Sequence, residues 1–210
     1  LIIMAVVPFG NTITLFGQEY RMSLADLNVG ILYLMSVTSI SVYGIVMAGW
    51  SSSNQYSMMG GVRASAQMVC YGLALGLSFV APILLAGSMS LNDIVQAQGT
   101  LWFVVAQPLA AIVFLLSSIA EINRHPFDMP EAEQELTSGY HTEYSGMKFA
   151  MFFIAEYVKM IAVSAFGATL FFGGYLGPWV DVFPWLGPIY FGAKIIILLF
   201  ILIWIRASLP

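Results

Sequence analysis

The sequence predicts an all-α fold, a polytopic bundle of transmembrane helices. Hydrophobic residues make up 60% of the 210 residues and charged residues only 9%, whereas about 25% of the residues in an ordinary soluble domain are charged. Several apolar stretches approach the roughly 20 residues that a helix needs to cross a bilayer. Because backbone amides inside a bilayer must bond within their own segment, consecutive stretches of this kind predict helices rather than an open sheet. Residues 1–210 are expected to form a single membrane domain.

Five complete spans and one partial span are predicted along the chain. The partial helix ends near residue 7, and the complete spans cover residues 27–49, 62–87, 100–119, 147–176 and 189–205. Four connections, at residues 8–26, 50–61, 88–99 and 177–188, are rich in Gly, Pro, Ser and Asn and are interpreted as turns. Since the chain opens on LIIMAVV without an initiator Met, we expect an internal fragment of a longer polypeptide.

Composition excludes two classes of function. Seven Lys and Arg residues and a net charge of −4 provide no basic patch, so no nucleic-acid partner is expected. The single cysteine, Cys70, cannot form an intrachain disulfide or supply the roughly four ligands of an iron–sulfur cluster. No metal site is predicted, and any electron carrier is expected to diffuse or to belong to a partner.

The distribution of cations predicts the orientation of the bundle. Four cations lie near the membrane boundary on the side that holds the 120–146 loop, and two lie on the other side. The first group comprises Arg63, Arg124, Lys148 and Arg206, and the second comprises Arg21 and Lys194. Positive charge favours the inner side of a membrane, so the 120–146 loop is placed on the cytoplasmic or matrix side.

The 120–146 loop concentrates acidic residues. Seven of the eleven acids in the chain fall between residues 121 and 156. Asp128 followed by Glu131 is typical of a capping box, Pro130 suits a first helical turn, and Gly139 suits a C-terminal stop. These signals predict a short helix over residues 129–138. A solvated acidic connector is the alternative interpretation.

Glu156 and Lys159 are ionisable residues inside the apolar run that follows. A charged side chain at that depth costs about 2.5–3.5 kcal/mol on insertion scales, so it should face protein, a partner charge or a wet cavity. The spacing of three residues also permits a purely structural ion pair between the two side chains.

Two segments of the chain resemble the signature of a known family. EINRHPFDMPEAEQEL (121–136) and GYHTEYSGMKFAMFFIAEY (139–157) closely resemble the signature of the NuoH-type membrane subunit of respiratory complex I, the proton-pumping NADH:quinone oxidoreductase. Further matches cover essentially the whole chain: LNVG (27–30), YGI (43–45), GWSS (49–52), GGVRA (60–64), AQ (66–67) and RASLP (206–210). The resemblance implies that the first helix, most of the second and the last helix are absent from this sequence.

The resemblance implies a function and a site. The 120–146 loop is expected to border a quinone chamber, and the chain to couple quinone reduction to proton translocation in a bacterial or mitochondrial inner membrane. Partner subunits of the complex are expected to carry FMN and the iron–sulfur clusters, with quinone as substrate and lipid as surroundings. The implied quinone-site loop and proton path comprise Arg63, Glu121, Arg124, Asp128, Glu131, Glu133, Glu135, His141, Glu143, Glu156 and Lys159.

Two positions depart from the family pattern. The family usually has a Glu directly after the Tyr of the motif that here contains Cys70-Tyr71-Gly72-Leu73, so one expected carboxylate is absent at Gly72. His125 stands where the family usually has a small apolar residue, and it is interpreted as a loop imidazole that caps local backbone. His141 lies inside the matching block near Glu143 and is ranked above His125 as a proton donor.

Two other functions are consistent with the residues. One is the related membrane anchor of an energy-converting hydrogenase, and the other is a secondary transporter that uses Glu156 and Lys159 for proton coupling. A transporter of that kind should show an inverted repeat, and the sequence shows no repeat of fixed period.

Overall fold

The computed structural model describes residues 2–15, 18–20, 22–123, 126–127, 139–178, 180 and 183–208. Seven α-helices occur in this part of the chain, which we number in chain order. They are α1 (Gly30–Ser51), α2 (Gln55–Ala86), α3 (Leu91–Ala97), α4 (Phe103–Ala106), α5 (Pro108–Ile122), α6 (Met147–Phe171) and α7 (Leu186–Ser208). The predicted helical bundle is therefore confirmed.

Four of the described helices are long and apolar enough to cross a membrane, namely α1, α2, α6 and α7. They correspond to four of the five predicted spans, with shifted ends. The α1–α2 connection is much tighter than the predicted 50–61 turn, because α2 already begins at Gln55. The side chain of Asn54 accepts a hydrogen bond from the backbone N–H of Tyr56 and thus caps this helix start.

The stretch predicted as one continuous span at residues 100–119 is not a single helix. It is replaced by two helices, the single turn α4 and the 15-residue α5, which meet at Gln107. Gln107 has φ −136° and ψ 67°, a conformation outside the α region, because the ring of Pro108 crowds the preceding residue. Pro108 itself suits the first turn of α5, where a backbone N–H would have no helical partner. The connection at 88–99 is likewise not a simple turn, since it contains α3.

The N-terminal segment also differs from the prediction. The partial helix expected to end near residue 7 is a 3₁₀-helix over Ile2–Val6. The connection at 8–26 contains a small antiparallel hairpin of β1 (Ile13–Leu15) and β2 (Gln18–Tyr20), with Ile13 opposite Tyr20. Its strands are too short to have been recognised by alternation of apolar and polar residues.

Helix α2 lies at the centre of the bundle, between α1 and α5, while α6 contacts α5 and α7. Phe114 joins the core between α2 and α6, with ring centroids 6.0 Å from Phe79 and 5.3 Å from Phe171. Only 6% of the most apolar window of α7 is buried. Its outward face is therefore available to lipid or to another chain.

Candidate functional site

A cavity of about 410 Å³ lies between α1, α2, α5 and α6. Its wall is mainly apolar and includes Leu34, Ile45, Met68, Leu75, Phe79, Phe114, Val163 and Phe166. Its polar lining includes Thr38, Ser41, Glu121, Asn123, Tyr140, Glu156 and Lys159. An apolar cavity with a few convergent polar groups is the usual form of a site for a small lipophilic molecule.

The cavity extends from the 120–146 loop into the bundle. Its α6 wall runs from Phe152 to Phe166, which corresponds to about 21 Å of helix at 1.5 Å per residue. Tyr140 lines the cavity from the loop side, and Phe79 and Phe114 line it from positions on α2 and α5 that are further from the loop. The ionisable residues therefore stand between the loop and the apolar interior.

An ion pair in the cavity joins α5 to α6. The ammonium of Lys159 donates one hydrogen bond to Oε1 of Glu121 at 3.1 Å and another to the backbone oxygen of Glu121 at 2.7 Å. Glu121 is the second-last residue of α5 and is only 4% exposed. Lys159 thus neutralises a buried carboxylate and also satisfies a carbonyl in the last turn of α5, where a cation is favoured by the helix dipole.

Glu156 is half-buried on α6, one turn before Lys159, and lines the same cavity. Its carboxylate is close enough to attract the Lys159 ammonium. The interpretation of Glu156 and Lys159 as a self-contained structural pair is therefore incomplete, because Lys159 also bridges to Glu121 on another helix. Glu121 and Glu156 both interact electrostatically with the Lys159 ammonium, so a change of charge on one acid alters the electrostatic environment of the other.

The segment at residues 139–146 is held on the α1–α2 turn by side-chain hydrogen bonds. The hydroxyl of Tyr144 donates to the backbone oxygen of Ala48 at 2.8 Å. The side-chain amide of Asn54 donates to Oε1 of Glu143 at 2.8 Å. Asn54 therefore serves twice, as the cap of α2 and as the anchor of Glu143, and it fixes this part of the loop against the bundle.

The close approach of this segment to α2 depends on Gly60. A Cβ atom at that position would lie 2.9 Å from the backbone nitrogen of Tyr140 and 3.0 Å from two backbone atoms of Gly139. Real Cβ contacts are hardly ever that short, so any larger residue would push the segment away from the helix. Gly60 thus allows Tyr140, which lines the cavity, to lie close to α2.

His141 is buried among aromatic rings. Its ring centroid lies 3.8 Å from that of Tyr140, 5.2 Å from that of Phe152 and 5.8 Å from that of Phe149. The side chain is 7% exposed. These rings come from both the 139–146 segment and α6, so His141 packs the segment against that helix.

The predicted site residues divide into three groups. Glu121, Glu156 and Lys159 meet at the cavity, with His141 and Glu143 in the neighbouring 139–146 segment. Arg63 lies on the exposed face of α2, and the described lining of the cavity does not include it. The third group lies outside the described residues and comprises Arg124, Asp128, Glu131, Glu133 and Glu135. His125 and the predicted helix over residues 129–138 also lie outside the described residues.

Sequence reasoning missed two polar residues that shape the site. The side-chain amide of Gln67 donates to the backbone oxygens of Ala120 at 3.0 Å and Phe127 at 2.6 Å, and so ties α2 to the beginning of the acidic loop. Asn123 follows α5 with φ 57° and lines the cavity. The sequence signal for this helix end was the Asn itself, because Asn tolerates the left-handed conformation in which many helices end.

A second polar cluster lies at the opposite end of α6. The ammonium of Lys194 donates to three backbone oxygens, those of Phe172, Gly174 and Leu176, at 2.7, 2.9 and 2.6 Å. It also lies 5.1 Å from the centroid of the Trp102 ring. All three ammonium donors are thereby satisfied. This contact caps the C-terminus of α6 and holds α7 against it.

The whole chain, residues 1–210, matches the family described as NADH dehydrogenase. It is 48% identical over 206 residues to an H-type subunit of NADH-quinone oxidoreductase from Geobacter metallireducens, with 98% of this chain and 61% of that protein covered. It is 47% identical over 210 residues to the H-type subunit of NADH-quinone oxidoreductase from Protochlamydia amoebophila, with coverage of 100% and 63%. The corresponding protein of Thermomicrobium roseum is 46% identical over 216 residues, with coverage of 98% and 62%. The chain thus spans 61–63% of the length of these relatives.

Proposed function

The chain belongs to the NADH dehydrogenase family, and from that premise we propose that it forms part of a subunit that couples quinone reduction to proton translocation in an NADH:quinone oxidoreductase. The single observation that supports this proposal most directly is the cavity that contains Glu121, Glu156 and Lys159 between apolar helices. Ionisable groups at that depth are costly, and they are typical of ion and proton pathways in membrane proteins.

The chemistry of a quinone explains why acids should line such a cavity. Reduction of a quinone to a quinol takes two electrons and two protons, so negative charge develops on the quinone oxygens before the protons arrive. That charge repels nearby carboxylates in their ionised form and favours uptake of a proton by them. The electrons are supplied by partner subunits, which hold FMN and the iron–sulfur clusters, and this chain provides the responding acids.

The shared interaction with Lys159 links the charge of Glu121 to that of Glu156. Both acids interact with the same Lys159 ammonium. When an event at the loop protonates Glu121, the ammonium loses its nearest anion and attracts the carboxylate of Glu156 more strongly. A change of charge at the loop is therefore transmitted to a residue on α6 inside the bundle.

The surroundings of the chain follow from the same proposal. The 120–146 loop, including the acids at 128–135, faces the cytoplasm or matrix and borders the quinone chamber next to the partner that carries the terminal cluster. The membrane is the energy-transducing bacterial or mitochondrial inner membrane. Quinone is the substrate, and the outward faces of helices such as α7 contact lipid or the neighbouring membrane subunits.

Purification of the native assembly separates this proposal from the two alternatives. Co-isolation with NADH-oxidising and iron–sulfur subunits supports it, and the relatives named as subunits of NADH-quinone oxidoreductase favour that outcome. Co-isolation with a nickel–iron protein would select the hydrogenase anchor. Isolation without any redox partner would select the transporter and reject the proposal.

The decisive variant is Glu156→Gln in the intact complex. We expect assembly and NADH oxidation with an artificial acceptor to persist, because an amide keeps the size and much of the hydrogen bonding of the carboxyl group. Quinone-linked proton translocation should be lost, because Gln cannot take up or release a proton. Asp93→Asn is the matched control, since Asp93 lies in α3 and bonds to Ser88 at 2.7 Å, away from the cavity lining. Full proton translocation in Glu156→Gln would remove Glu156 from the pathway.

A further inference from the structure

Two separate points of the acidic loop are docked on the same face of α2. The hydroxyl of Ser57 donates to the backbone oxygen of Tyr140 at 3.2 Å, and Gly60 allows the close approach of this segment. The side-chain amide of Gln67 donates to the backbone oxygen of Phe127 at 2.6 Å. Positions 57, 60 and 67 are three and seven residues apart, and this spacing places them on one face of a helix. The 32-residue α2 therefore holds the loop near both of its ends.

Gln67 joins the end of α5 to the beginning of the loop. Its amide nitrogen donates to the backbone oxygen of Ala120, in the last turn of α5, at 3.0 Å and to that of Phe127 at 2.6 Å. One amide group therefore fixes where the chain lies before and after it leaves the helix. The ring of Tyr71, one helical turn after Gln67, lies 5.4 Å from the ring of Phe127 and adds an aromatic contact at the same place.

The chemistry of the Gln67 side chain suits this double contact. A primary amide has two N–H donors on one nitrogen, and each of them has a carbonyl acceptor here. The side chain is only 8% exposed, so bulk water does not compete for the two carbonyl oxygens. Its Oε1 is buried and has no donor among the described residues, so the described bonds of this side chain are all made by the nitrogen. A carboxylate or a thioether of similar size could make neither bond.

The part of the chain that Gln67 holds lines the cavity. Glu121 and Asn123 lie between the two bonded carbonyl groups in the sequence, and both line the cavity. Tyr140, at the other docked point, also lines it. Gln67 itself is not among the described lining residues. It can therefore influence a molecule bound there only through the segment that it holds.

We propose that Gln67 is a positioning residue for quinone binding, whose two hydrogen bonds hold the beginning of the acidic loop in the arrangement that accepts the quinone ring. This inference rests on the proposed function and names one residue that orients its site. Without the two bonds, the beginning of the loop occupies several arrangements, and only a fraction of them accepts quinone. The apparent affinity falls by that fraction. Once quinone is bound in the correct arrangement, the rate of its reduction is unchanged.

The test compares Gln67→Met with Gln98→Met in the intact complex. Met has nearly the length of Gln and cannot donate a hydrogen bond. Gln98 is the matched control, because it is 1% exposed and its amide nitrogen also donates to two backbone oxygens, those of Ile94 and Thr169, at 3.2 and 3.0 Å. The probe is a decyl-substituted quinone with the ring of the quinone that purifies with the complex. We expect Gln67→Met to raise the KM for this quinone by about three- to tenfold and to leave kcat unchanged.

The control separates positioning from a general loss of structure. Gln98→Met should lower the thermal stability of the complex and leave the KM for quinone unchanged. NADH oxidation with an artificial acceptor should be normal in both variants, because that reaction takes place in the partner subunits. An unchanged KM in Gln67→Met would overturn the proposal. An equal rise of the KM in Gln98→Met would also overturn it, because the effect would then not depend on the loop.

A second variant and a density map test the proposal if Gln67→Met does not assemble. Gln67→Glu keeps the shape of the side chain, but its carboxylate would face two carbonyl oxygens, so the KM should again rise about threefold or more. A map of the unmodified complex with quinone bound should show the Gln67 nitrogen within about 3.2 Å of both carbonyl oxygens. Loss of either bond in the quinone-bound complex would reject the positioning role, whatever the variants do.

The proposed function would fail in a different measurement. It fails if the unmodified assembly contains no redox partner and shows no quinone-linked NADH oxidation. The positioning role of Gln67 fails if that activity is present and its KM for quinone does not respond to the loss of the two bonds. Normal proton translocation in Glu156→Gln concerns the acids alone and leaves the KM comparison valid.

Discussion

Replacing Lys159 by Met tests the electrostatic basis of the cavity. The variant keeps a long apolar stem and removes the ammonium, so Glu121 loses both its 3.1 Å side-chain contact and its 2.7 Å backbone contact. Glu121 is only 4% exposed, so bulk solvent cannot replace these contacts. Breaking a buried ion pair from one side costs about 3–5 kcal/mol, because the remaining charge is left without compensation. We therefore expect Lys159→Met to destabilise the bundle by about this amount.

The reverse substitution, Glu121→Gln, should be milder. The amide oxygen of Gln still accepts from Lys159, the backbone oxygen at position 121 is unchanged, and Glu156 continues to attract the ammonium. The loss is then the difference between a charge-assisted and a neutral hydrogen bond, about 1–2 kcal/mol. The double variant leaves no unpaired charge between the two positions. Its cost should be smaller than the sum of the single costs by about 2–3 kcal/mol.

The measurement is the midpoint temperature of thermal unfolding of this chain in the purified complex. For a chain of this size, each 1 kcal/mol shifts the unfolding midpoint by roughly 2–4 °C, so Lys159→Met should lower it by about 6–20 °C. Lys148→Met is the matched control, because Lys148 is exposed at the start of α6 and its loss should change stability by no more than about 0.5 kcal/mol. Effects of the two single variants that simply add in the double variant would refute the coupling described above.

Two further predictions concern how the site is held. Gly60→Ala should destabilise the docked 139–146 segment by about 1–3 kcal/mol, because its Cβ would lie 2.9 Å from a backbone nitrogen. Faster proteolysis of that segment than in Gly44→Ala, where a Cβ meets no described atom within 4 Å, would confirm this prediction, and equal rates would contradict it. Gln98→Leu should destabilise the end of α6 by about 1–3 kcal/mol for each buried group left unpaired, because the 1%-exposed side chain bonds to Ile94, Phe103, Thr169 and Gly173. Hydrogen exchange at the amide of Gly173 should accelerate, and unchanged protection there would rule out this role for Gln98.

The spans were predictable because their signal is local. A continuous apolar run of sufficient length has one low-energy structure in a bilayer, and α1, α2, α6 and α7 follow that rule. The error at residues 100–119 arose because apolar residues continue on both sides of Pro108 and mask the break. The Gln-Pro pair contained the signal, since the residue before a proline avoids the α region. A hydropathy profile averages over many residues and therefore does not detect the non-helical backbone of the single residue Gln107.

The sequence singled out the ionisable residues of the candidate site but did not predict their contacts. Because Glu156 and Lys159 lie deep in an apolar run, the sequence predicted that each interacts with a charge, with protein or with a wet cavity. Their separation of three residues favoured an ion pair between the two. The described salt bridge joins Lys159 to Glu121, 38 residues away in the chain. That contact depends on how α5 and α6 cross, which a single sequence does not encode locally. The same holds for the aromatic surroundings of His141, which come from both the segment and α6.

Lys159 and Lys194, which both cap helix ends in this bundle, differ in one respect that bears on function. Lys194 bonds to three carbonyls at the C-terminus of α6, and Lys159 bonds to a carbonyl and to a carboxylate at the C-terminus of α5. Carbonyl oxygens do not change their charge, whereas the Glu121 carboxylate that accepts from Lys159 can take up a proton. The contact of Lys159 weakens whenever Glu121 is protonated. The last turn of α5 carries Glu121 to the cavity, where the contact of Glu121 with Lys159 lies one turn of α6 from Glu156.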